Sequence, residues 1–183
     1  MQEKDKIMRS TVSLSAKDPL ATNPGDGMNA LSCLAHIVRL CPEYEMDLQP
    51  LFARETDLKK CLKYGVDPNG YDYSGSPPLH HFVSTFRNNE SDERTADLIG
   101  LLVFYRADVN MRNGKGESAL HVACQLGRVS CVKKLIMFKA NVRALDYRWE
   151  GIIVSAKRWM DGNPENDARI QECIDLVCRA ANI

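Results

Sequence analysis

The chain has 183 residues, in which 24 lysines and arginines are balanced by 24 aspartates and glutamates. This balance gives no bulk positive field, so we expect no nucleic-acid partner and no attraction to an anionic membrane. No stretch approaches the roughly 20 apolar residues that a membrane-spanning helix needs, and the polar N-terminus lacks the apolar core of a secretion signal. We therefore expect a cytoplasmic monomer, with the nucleus as the alternative location.

The seven cysteines are odd in number and irregular in spacing. A disulfide framework in a small secreted domain uses an even set of cysteines, whereas a reducing compartment keeps thiols unpaired and buried. The pattern therefore predicts small apolar core residues in an intracellular protein.

Residues 1–23 mix charges with Ser, Thr and Pro and show no apolar periodicity, which predicts a mobile tail. The next unit, residues 24–71, opens with a glycine-containing turn and continues through Leu31 to Leu34. A second apolar stripe appears only at Leu58, Cys61 and Leu62, so residues 41–55 are predicted to be an insertion between two helices.

Residues 72–112 form a second unit, with a turn before Leu79-His80 and a later stripe at Ile99, Leu102 and Val103. Between the two segments, every residue from 87 to 94 is polar. Such a run predicts a solvated loop.

The third unit, residues 113–145, is the most regular part of the chain. A turn with Gly114 and Gly116 precedes a short apolar segment that ends at Gly127, and Val132, Leu135 and Ile136 then share one helical face. Ser118 stands where it can cap the first segment, and Leu120 and Ala123 lie on one face of it. The pattern predicts two helices joined by a turn.

The fourth unit, residues 146–183, repeats the third at a fixed interval. Ile153 stands one period after Leu120, and Ala156 stands the same period after Ala123. A polar stretch from Asp161 to Asp167 separates the two apolar segments of this unit. The second stripe is formed by Ile170, Cys173, Ile174 and Val177.

Two independent spacings support a common register for the second and third units. The interval from Leu79 to Leu120 equals the interval from Asp67 to Asp108. Both intervals exceed the period between Leu120 and Ile153 by the length of the polar run 87–94. The insertions all fall between the two helices of a unit, where extra chain disturbs neither helix.

The run Ser-Ala-Leu-His-Val-Ala at residues 118–123 resembles the ankyrin signature Thr-Pro-Leu-His-x-Ala, and Lys139-Ala140-Asn141 stands where that family carries Gly-Ala-Asp. The resemblance covers about residues 24–180. It implies one ankyrin-repeat domain at residues 24–183, an all-α solenoid of four helix-turn-helix units. We expect about eight helices, little or no regular sheet, and hairpin-like turns near Asp72, Asn113 and Asp146.

Histidines and cysteines also allow two chemical interpretations. His121 and Cys124 could be metal ligands, or Cys124 could be a nucleophile with His121 as its base. No Cys-x-x-Cys pair and no signature of a phosphate-binding loop or hydrolase occurs. In the ankyrin family the His that matches His80 and His121 bonds the backbone near the turns, so we predict no catalytic, cofactor or metal site, and no enzyme.

Ankyrin proteins bind partners through a concave surface of hairpin tips and inner helices. The resemblance therefore implies a protein-interaction module, an adaptor or an inhibitory binder, whose partner is another protein. The alternative is a structural terminal segment that extends or caps a longer array. Mapped onto this chain, the partner-binding surface consists of Tyr73, Ser74, Lys115, Glu117, Gln125, Tyr147, Arg148, Arg158 and Trp159.

Asn110 lies in a segment that looks like the ankyrin sequence modified by an asparaginyl hydroxylase. The resemblance makes Asn110 a candidate hydroxylation site. A plain loop asparagine that supports the turn by hydrogen bonds is the alternative.

Overall fold

The computed structural model describes residues 32, 55, 58–63, 65–84 and 89–182. In this part of the chain a helical stretch at residues 58–63 is followed by six helices: α1 (Pro78–Ser84), α2 (Asn89–Phe104), α3 (Ala119–Gln125), α4 (Val129–Met137), α5 (Ile152–Lys157) and α6 (Pro164–Ala181). Within the same ranges, β structure is limited to isolated bridges at Arg112–Ser118 and Leu145–Gly151. The all-α ankyrin solenoid predicted from the sequence is confirmed.

The helices form two layers. The short helices α1, α3 and α5 pack side by side in an inner layer, and α2, α4 and α6 do the same in an outer layer. Within each unit the inner helix also packs against its outer partner, so each unit contacts the units beside it. The solenoid is therefore built from repeated neighbour contacts.

The core lies between the two layers. Leu79 and Leu120, the signature leucines of α1 and α3, are buried, as are Val132 and Leu135 of α4. In α6 the predicted stripe of Ile170, Cys173, Ile174 and Val177 is buried as well. These positions recur at helical spacing, which is why the apolar pattern predicted the helices.

The outer helices α2 and α4 are each followed by a residue with left-handed backbone conformation. Arg106 has a φ of 74° and Lys139 a φ of 64°, whereas the helical stretch 58–63 is followed by Gly65 at 85°. At Lys139 the backbone N–H donates to the Ile136 carbonyl at 2.9 Å, and the next N–H donates to the Leu135 carbonyl at 3.0 Å. Glycine adopts this conformation without strain, so Arg106 and Lys139 are held there by the surrounding turn.

The prediction of a solvated loop at residues 87–94 is wrong for residues 89–94, and residues 87 and 88 lie outside the described part of the chain. Helix α2 begins at Asn89, and Asp92 near its start is buried. The Asp92 carboxylate accepts a hydrogen bond of 2.7 Å from the Ser130 N–H in the first turn of α4. The inserted residues therefore extend α2 at its N-terminal end. They are held in the helix by Asp92, which accepts a hydrogen bond from a free N–H in the first turn of α4.

The polar stretch before α6 also contains the start of a helix. Asn163 is the N-cap of α6, its Oδ1 accepts from the Glu165 N–H at 3.1 Å, and Pro164 occupies the first turn. The predicted separating stretch from Asp161 to Asp167 is therefore helical from Pro164 onward. Side-chain capping and the proline explain this early start.

Several predictions fall outside the described residues. These are the tail at 1–23, the opening turn of the first unit, the stretch Leu31 to Leu34 apart from Ser32, and nearly all of the insertion at 41–55. Among the helices that the structure does describe, none combines the length and apolar character needed to cross a membrane.

Candidate partner-binding surface

Three hairpin turns project from the inner layer at the predicted places, and each is numbered after the unit that it opens. They are hairpin 2 (residues 72–76), hairpin 3 (113–117) and hairpin 4 (146–150). Each is organised by the side chain of its first residue. Asp146 Oδ1 accepts from the backbone N–H groups of Arg148 and Glu150 at 2.8 and 3.0 Å. Asn113 and Asp72 make the equivalent pairs of bonds at 2.8 to 3.0 Å. The tips are therefore fixed before any partner arrives.

The aspartates at these turns are held in the ionised form. Burial acts to raise the pKa of Asp72, but hydrogen bonds from Ser74 and Ser76 and the charge of His81 outweigh it, so the pKa lies below its usual range. His81 Nε2 lies 2.8 Å from Asp72 Oδ2 and ties hairpin 2 to α1. The pKa of Asp146 is lowered in the same way by backbone bonds from Glu150 and Arg148, against the opposing effect of burial.

Successive hairpins stack on one another through glycine. A Cβ atom at Gly75 would lie 3.1 Å from the Gly114 Cα, and one at Gly116 would lie 2.5 Å from the Tyr147 ring. The Tyr147 N–H also donates to the Lys115 carbonyl at 3.2 Å. Hairpins 2, 3 and 4 thus form one continuous edge of the solenoid.

Four of the predicted surface residues are exposed on this edge. Tyr73 is 73% exposed and Tyr147 65% exposed, and Lys115 and Arg148 are exposed beside them. Within the described part of the chain, the side chains of Lys115, Tyr147 and Arg148 form no hydrogen bond or ion pair with another residue. Ser74 is also exposed, but its hydroxyl donates to Asp72 Oδ1 at 2.7 Å and serves the turn.

Gln125 is not part of the exposed surface, which corrects the sequence-based prediction. It is only 6% exposed, and its Nε2 donates to Ser155 Oγ of α5 at 2.7 Å and to Glu117 Oε1 at 2.8 Å. Glu117 is half-buried by the same contact. Both residues hold hairpin 3, α3 and α5 together, because a buried amide needs hydrogen-bond partners.

The pair Arg158 and Glu150, which are the counterparts of Gln125 and Glu117 in the next unit, lies closer to solvent. Arg158 is the counterpart of Gln125 in the repeat register, and it forms an ion pair with Glu150 of hairpin 4. Trp159, the next residue, is about half exposed. The pair Arg158 and Trp159 therefore lies where the predicted surface continues from the hairpin tip onto the inner helix.

The signature histidines have structural roles in this fold. His80 Nε2 lies 2.9 Å from the Glu117 carbonyl of the next hairpin, and burial lowers the pKa of His80 to about 4. Burial also lowers the pKa of His121, against the opposing effect of the Glu150 carbonyl. Both rings are consequently neutral at physiological pH. The His80 ring links α1 to hairpin 3, whereas His121 Nε2 is buried without a hydrogen-bond partner among the described residues.

The two rings differ at Nδ1. In α3, Ser118 is the N-cap, and its hydroxyl and backbone N–H lie 2.9 and 3.2 Å from His121 Nδ1. In α1 the equivalent position is Pro77, which has neither group, and His80 Nδ1 is buried without a hydrogen-bond partner. The bond to Glu117 thus carries the whole polar stabilisation of the His80 ring.

The cysteines of the core are protected thiols. A contact with Cys173, together with burial, raises the pKa of the Cys124 thiol well above its usual value, and burial raises that of Cys131 as well. A neutral, buried thiol is a poor nucleophile and a poor metal ligand. In the part of the chain that the structure describes, no three His, Cys, Asp or Glu side chains cluster where they could hold a metal ion.

Asn110 joins two neighbouring loops. Its side-chain oxygen accepts from the Asn141 N–H at 2.8 Å, and its own N–H donates to Asp108. Asn69 makes the equivalent bond to the Asp108 N–H at 2.8 Å one unit earlier. This contact accounts for an asparagine at the position without any modification.

One exposed residue of the edge was not predicted from the sequence. Trp149, at the tip of hairpin 4, is 82% exposed and has a φ of 63°. The repeat register could have drawn attention to it, because Trp149 stands one period after Gly116, at a position where the other hairpins carry glycine.

Comparison with known proteins finds relatives that match about half of this chain. The probable E3 ubiquitin-protein ligase XBOS32 of Oryza sativa subsp. japonica is 31% identical over 100 residues, which are 52% of this chain and 18% of the relative. The E3 ubiquitin-protein ligase XBAT33 of Arabidopsis thaliana is 39% identical over 92 residues, or 50% of this chain and 15% of the relative. The chain therefore spans less than a fifth of either protein.

A family model described as ankyrin repeats, in three copies, matches residues 11–146. The match ends at the first residue of hairpin 4, although the structure stacks α5 and α6 on the preceding unit in the same two layers. Together, the family match and the stacked helix pairs show that this chain belongs to the ankyrin-repeat family.

Proposed function

We propose that this chain is a protein-interaction module that binds a partner protein through the edge formed by hairpins 2 to 4 and the exposed end of α5. The observation that carries the proposal is the group of exposed aromatic and cationic side chains on fixed turns. Tyrosine, tryptophan and arginine are the residue types that dominate binding hot spots, and folding alone does not require them at an exposed tip.

The rigidity of the hairpins supports this role. Each tip is held by two backbone hydrogen bonds to the side chain of its first residue, and neighbouring tips are in van der Waals contact. A surface that is already ordered loses little conformational entropy on binding. We therefore expect a partner to dock on the hairpins without rearranging them.

A structural segment of a longer array is the alternative. The exposed face of α6 is polar and includes Asp175 and Arg179. A polar face of this kind suits the last unit of a stack. An end unit does not need exposed aromatic hairpin tips, however, so the binding role accounts for more of the molecule.

We further propose that the module acts as an adaptor or inhibitor without catalytic activity of its own. The relatives carry the name of ubiquitin ligases, but the matched segment is at most 18% of the two described above. The neutral signature histidines and protonated thiols fit a scaffold better than a catalytic centre. Buried thiols that form no disulfide are consistent with the cytoplasm or nucleus.

The test begins with affinity capture of a partner by the wild-type chain, identified by mass spectrometry, followed by titration calorimetry. Tyr73→Ala should weaken the complex by about 2 kcal/mol, the scale of a hot spot, and leave the melting temperature unchanged.

Phe104→Ala is the matched control, because Phe104 is an equally exposed aromatic residue at the end of outer helix α2. Its affinity should equal that of the wild type. Loss of binding in Phe104→Ala with none in Tyr73→Ala would move the interface to the outer layer and contradict the proposal.

A further inference from the structure

The backbone of hairpin 4 holds a tryptophan in a conformation that the other hairpins reserve for glycine. The φ angles of Gly75, Gly116 and Trp149 are 71°, 80° and 63°. A left-handed conformation is uncommon for a bulky residue and costs about 1–2 kcal/mol in an L-amino acid. Strain of this kind is retained where the surrounding structure enforces it, and it is concentrated at functional sites.

The geometry of hairpins 2 and 3 shows what this position faces. A Cβ atom at Gly75 would touch Gly114 of hairpin 3, and a Cβ atom at Gly116 would overlap Tyr147 of hairpin 4. The position thus points along the stack toward the following hairpin. By the same geometry, the Trp149 indole points away from hairpin 3, and another hairpin could not approach it as closely.

The inner helix presents apolar surface in the same direction. Val154 is the counterpart of His121 in the repeat register, and His121 is fully buried beneath hairpin 4 and α5. Val154 itself is 55% exposed. In unit 3 the counterparts of Trp149 and Val154, which are Gly116 and His121, are covered by the following unit.

Two exposed cations stand close to these residues in the chain. Between Asp146 and Met160 the chain has three cations and two carboxylates. Asp146 is used inside the turn, and Glu150 pairs with Arg158. Within the described residues, Arg148 and Lys157 are exposed and form no ion pair, although the charge of Arg148 helps to lower the pKa of Asp146.

We infer that Trp149, Val154, Arg148 and Lys157 form an edge of unit 4 that binds an acidic peptide segment of a partner protein. An aromatic or aliphatic side chain of the segment packs on Trp149 and Val154, and its carboxylates pair with the two cations. The inference rests on the proposed function and assigns a partner chemistry to one end of the same surface.

The probe is a fluorescein-labelled synthetic peptide in which glutamates flank one phenylalanine and one leucine, measured by anisotropy. A second peptide with glutamines in place of the glutamates tests the charge. The wild type should bind the glutamate peptide more tightly than the glutamine peptide, and added salt should weaken the binding. Lys157→Gln should also weaken it.

Trp149→Gly separates binding from folding. Since glycine is the residue of the equivalent positions, this variant should melt at a higher temperature, while its affinity for the glutamate peptide falls by about tenfold or more. Lys139→Gly is the matched control: it relieves the same backbone conformation in a loop after α4, so it should also melt higher but bind like the wild type.

Intrinsic fluorescence supplies an independent readout. The chain has two tryptophans, so Trp159→Phe leaves Trp149 as the only source of tryptophan emission. The glutamate peptide should shift this emission to shorter wavelength and protect it from acrylamide.

Three results would each overturn the inference. They are equal affinity of Trp149→Gly and the wild type for the glutamate peptide, equal affinity of the wild type for both peptides, and no saturable binding of the glutamate peptide. A captured partner that loses affinity in Tyr73→Ala but binds Trp149→Gly normally would leave the proposed function intact and remove only this edge.

Discussion

Hairpins 3 and 4 follow the same backbone path and use their surfaces in opposite ways. Hairpin 3 carries Gly114 and Gly116, and its neighbours pack directly onto the glycine backbone. Hairpin 4 carries Tyr147 and Trp149 at the equivalent positions, and both rings are largely exposed. The difference shows that hairpin 3 is built for close approach on both sides, whereas hairpin 4 has room for large side chains.

The inner helices α3 and α5 of the same two units differ in burial in the same way. In α3 the residues Leu120, His121 and Cys124 are fully buried, because α5 and α6 cover them. Their equivalents in α5 are Ile153, Val154 and Lys157, which are half-buried or exposed. Stability should therefore depend mainly on unit 3, and binding on unit 4.

The largest expected effect is on core packing. Leu120→Ala should lower the free energy of unfolding by about 2–5 kcal/mol, since it removes buried methyl groups and leaves a cavity. Ile153→Ala, at the equivalent position of unit 4, should cost clearly less because Ile153 is only partly buried. Urea denaturation of both variants measures the difference, and equal midpoints would contradict the contrast between the units.

The next effect is a pH dependence that arises from the links between units. The pKa of His80 is about 4 in the folded protein and about 6.5 in the unfolded chain. Between these values the unfolded chain binds more protons, so stability is complete above about pH 6.5 and falls as the pH decreases toward 4. The loss should be about 3 kcal/mol. His121 contributes in the same direction.

His80→Gln provides the control for this dependence. Glutamine does not titrate, so the variant should retain only the slope that His121 and, toward pH 4, Asp72 and Asp146 produce. Chemical denaturation at a series of pH values measures both slopes. The same slope in wild type and His80→Gln would show that His80 is not held neutral by burial.

Smaller effects are expected at the hairpin glycine position. Gly116→Ala should destabilise the fold by about 1–2 kcal/mol through the left-handed backbone alone. Contact with the Tyr147 ring adds to this cost. Trp149→Gly should stabilise the fold by about 0.5–1 kcal/mol. The relieved backbone strain is partly offset by the greater conformational entropy of glycine in the unfolded chain. Calorimetric melting of both variants should show shifts of opposite sign, and shifts of the same sign would contradict the equivalence of the two positions.

The repeat spacing and the resemblance to the ankyrin signature together were enough to predict the layers, the hairpins and the signature leucine. It placed the turns at Asp72, Asn113 and Asp146, because these features are set within one unit and recur with its period. The polar run at 87–94 misled the prediction. Polarity is expected both of a loop and of an exposed helix face, and the role of Asp92 depends on Ser130, which is distant in the sequence.

The candidate surface was predictable only in part for the same reason. Gln125 stands at a surface position of the repeat, yet Ser155 of the next unit buries it. Trp149 stands at a glycine position, so the repeat register marks it as a departure from the pattern but does not assign it a binding role. Whether a repeat position is exposed depends on its neighbouring unit, which a single-unit signature does not contain.

Hydrogen–deuterium exchange of the chain with its captured partner tests the proposed binding edge most directly, because it locates the interface without any substitution. We predict slower exchange at hairpins 2, 3 and 4 and in α5 when the partner is bound, and unchanged exchange in outer helices α2 and α4. Protection of α2 and α4 with unchanged hairpins would contradict a binding site on this edge.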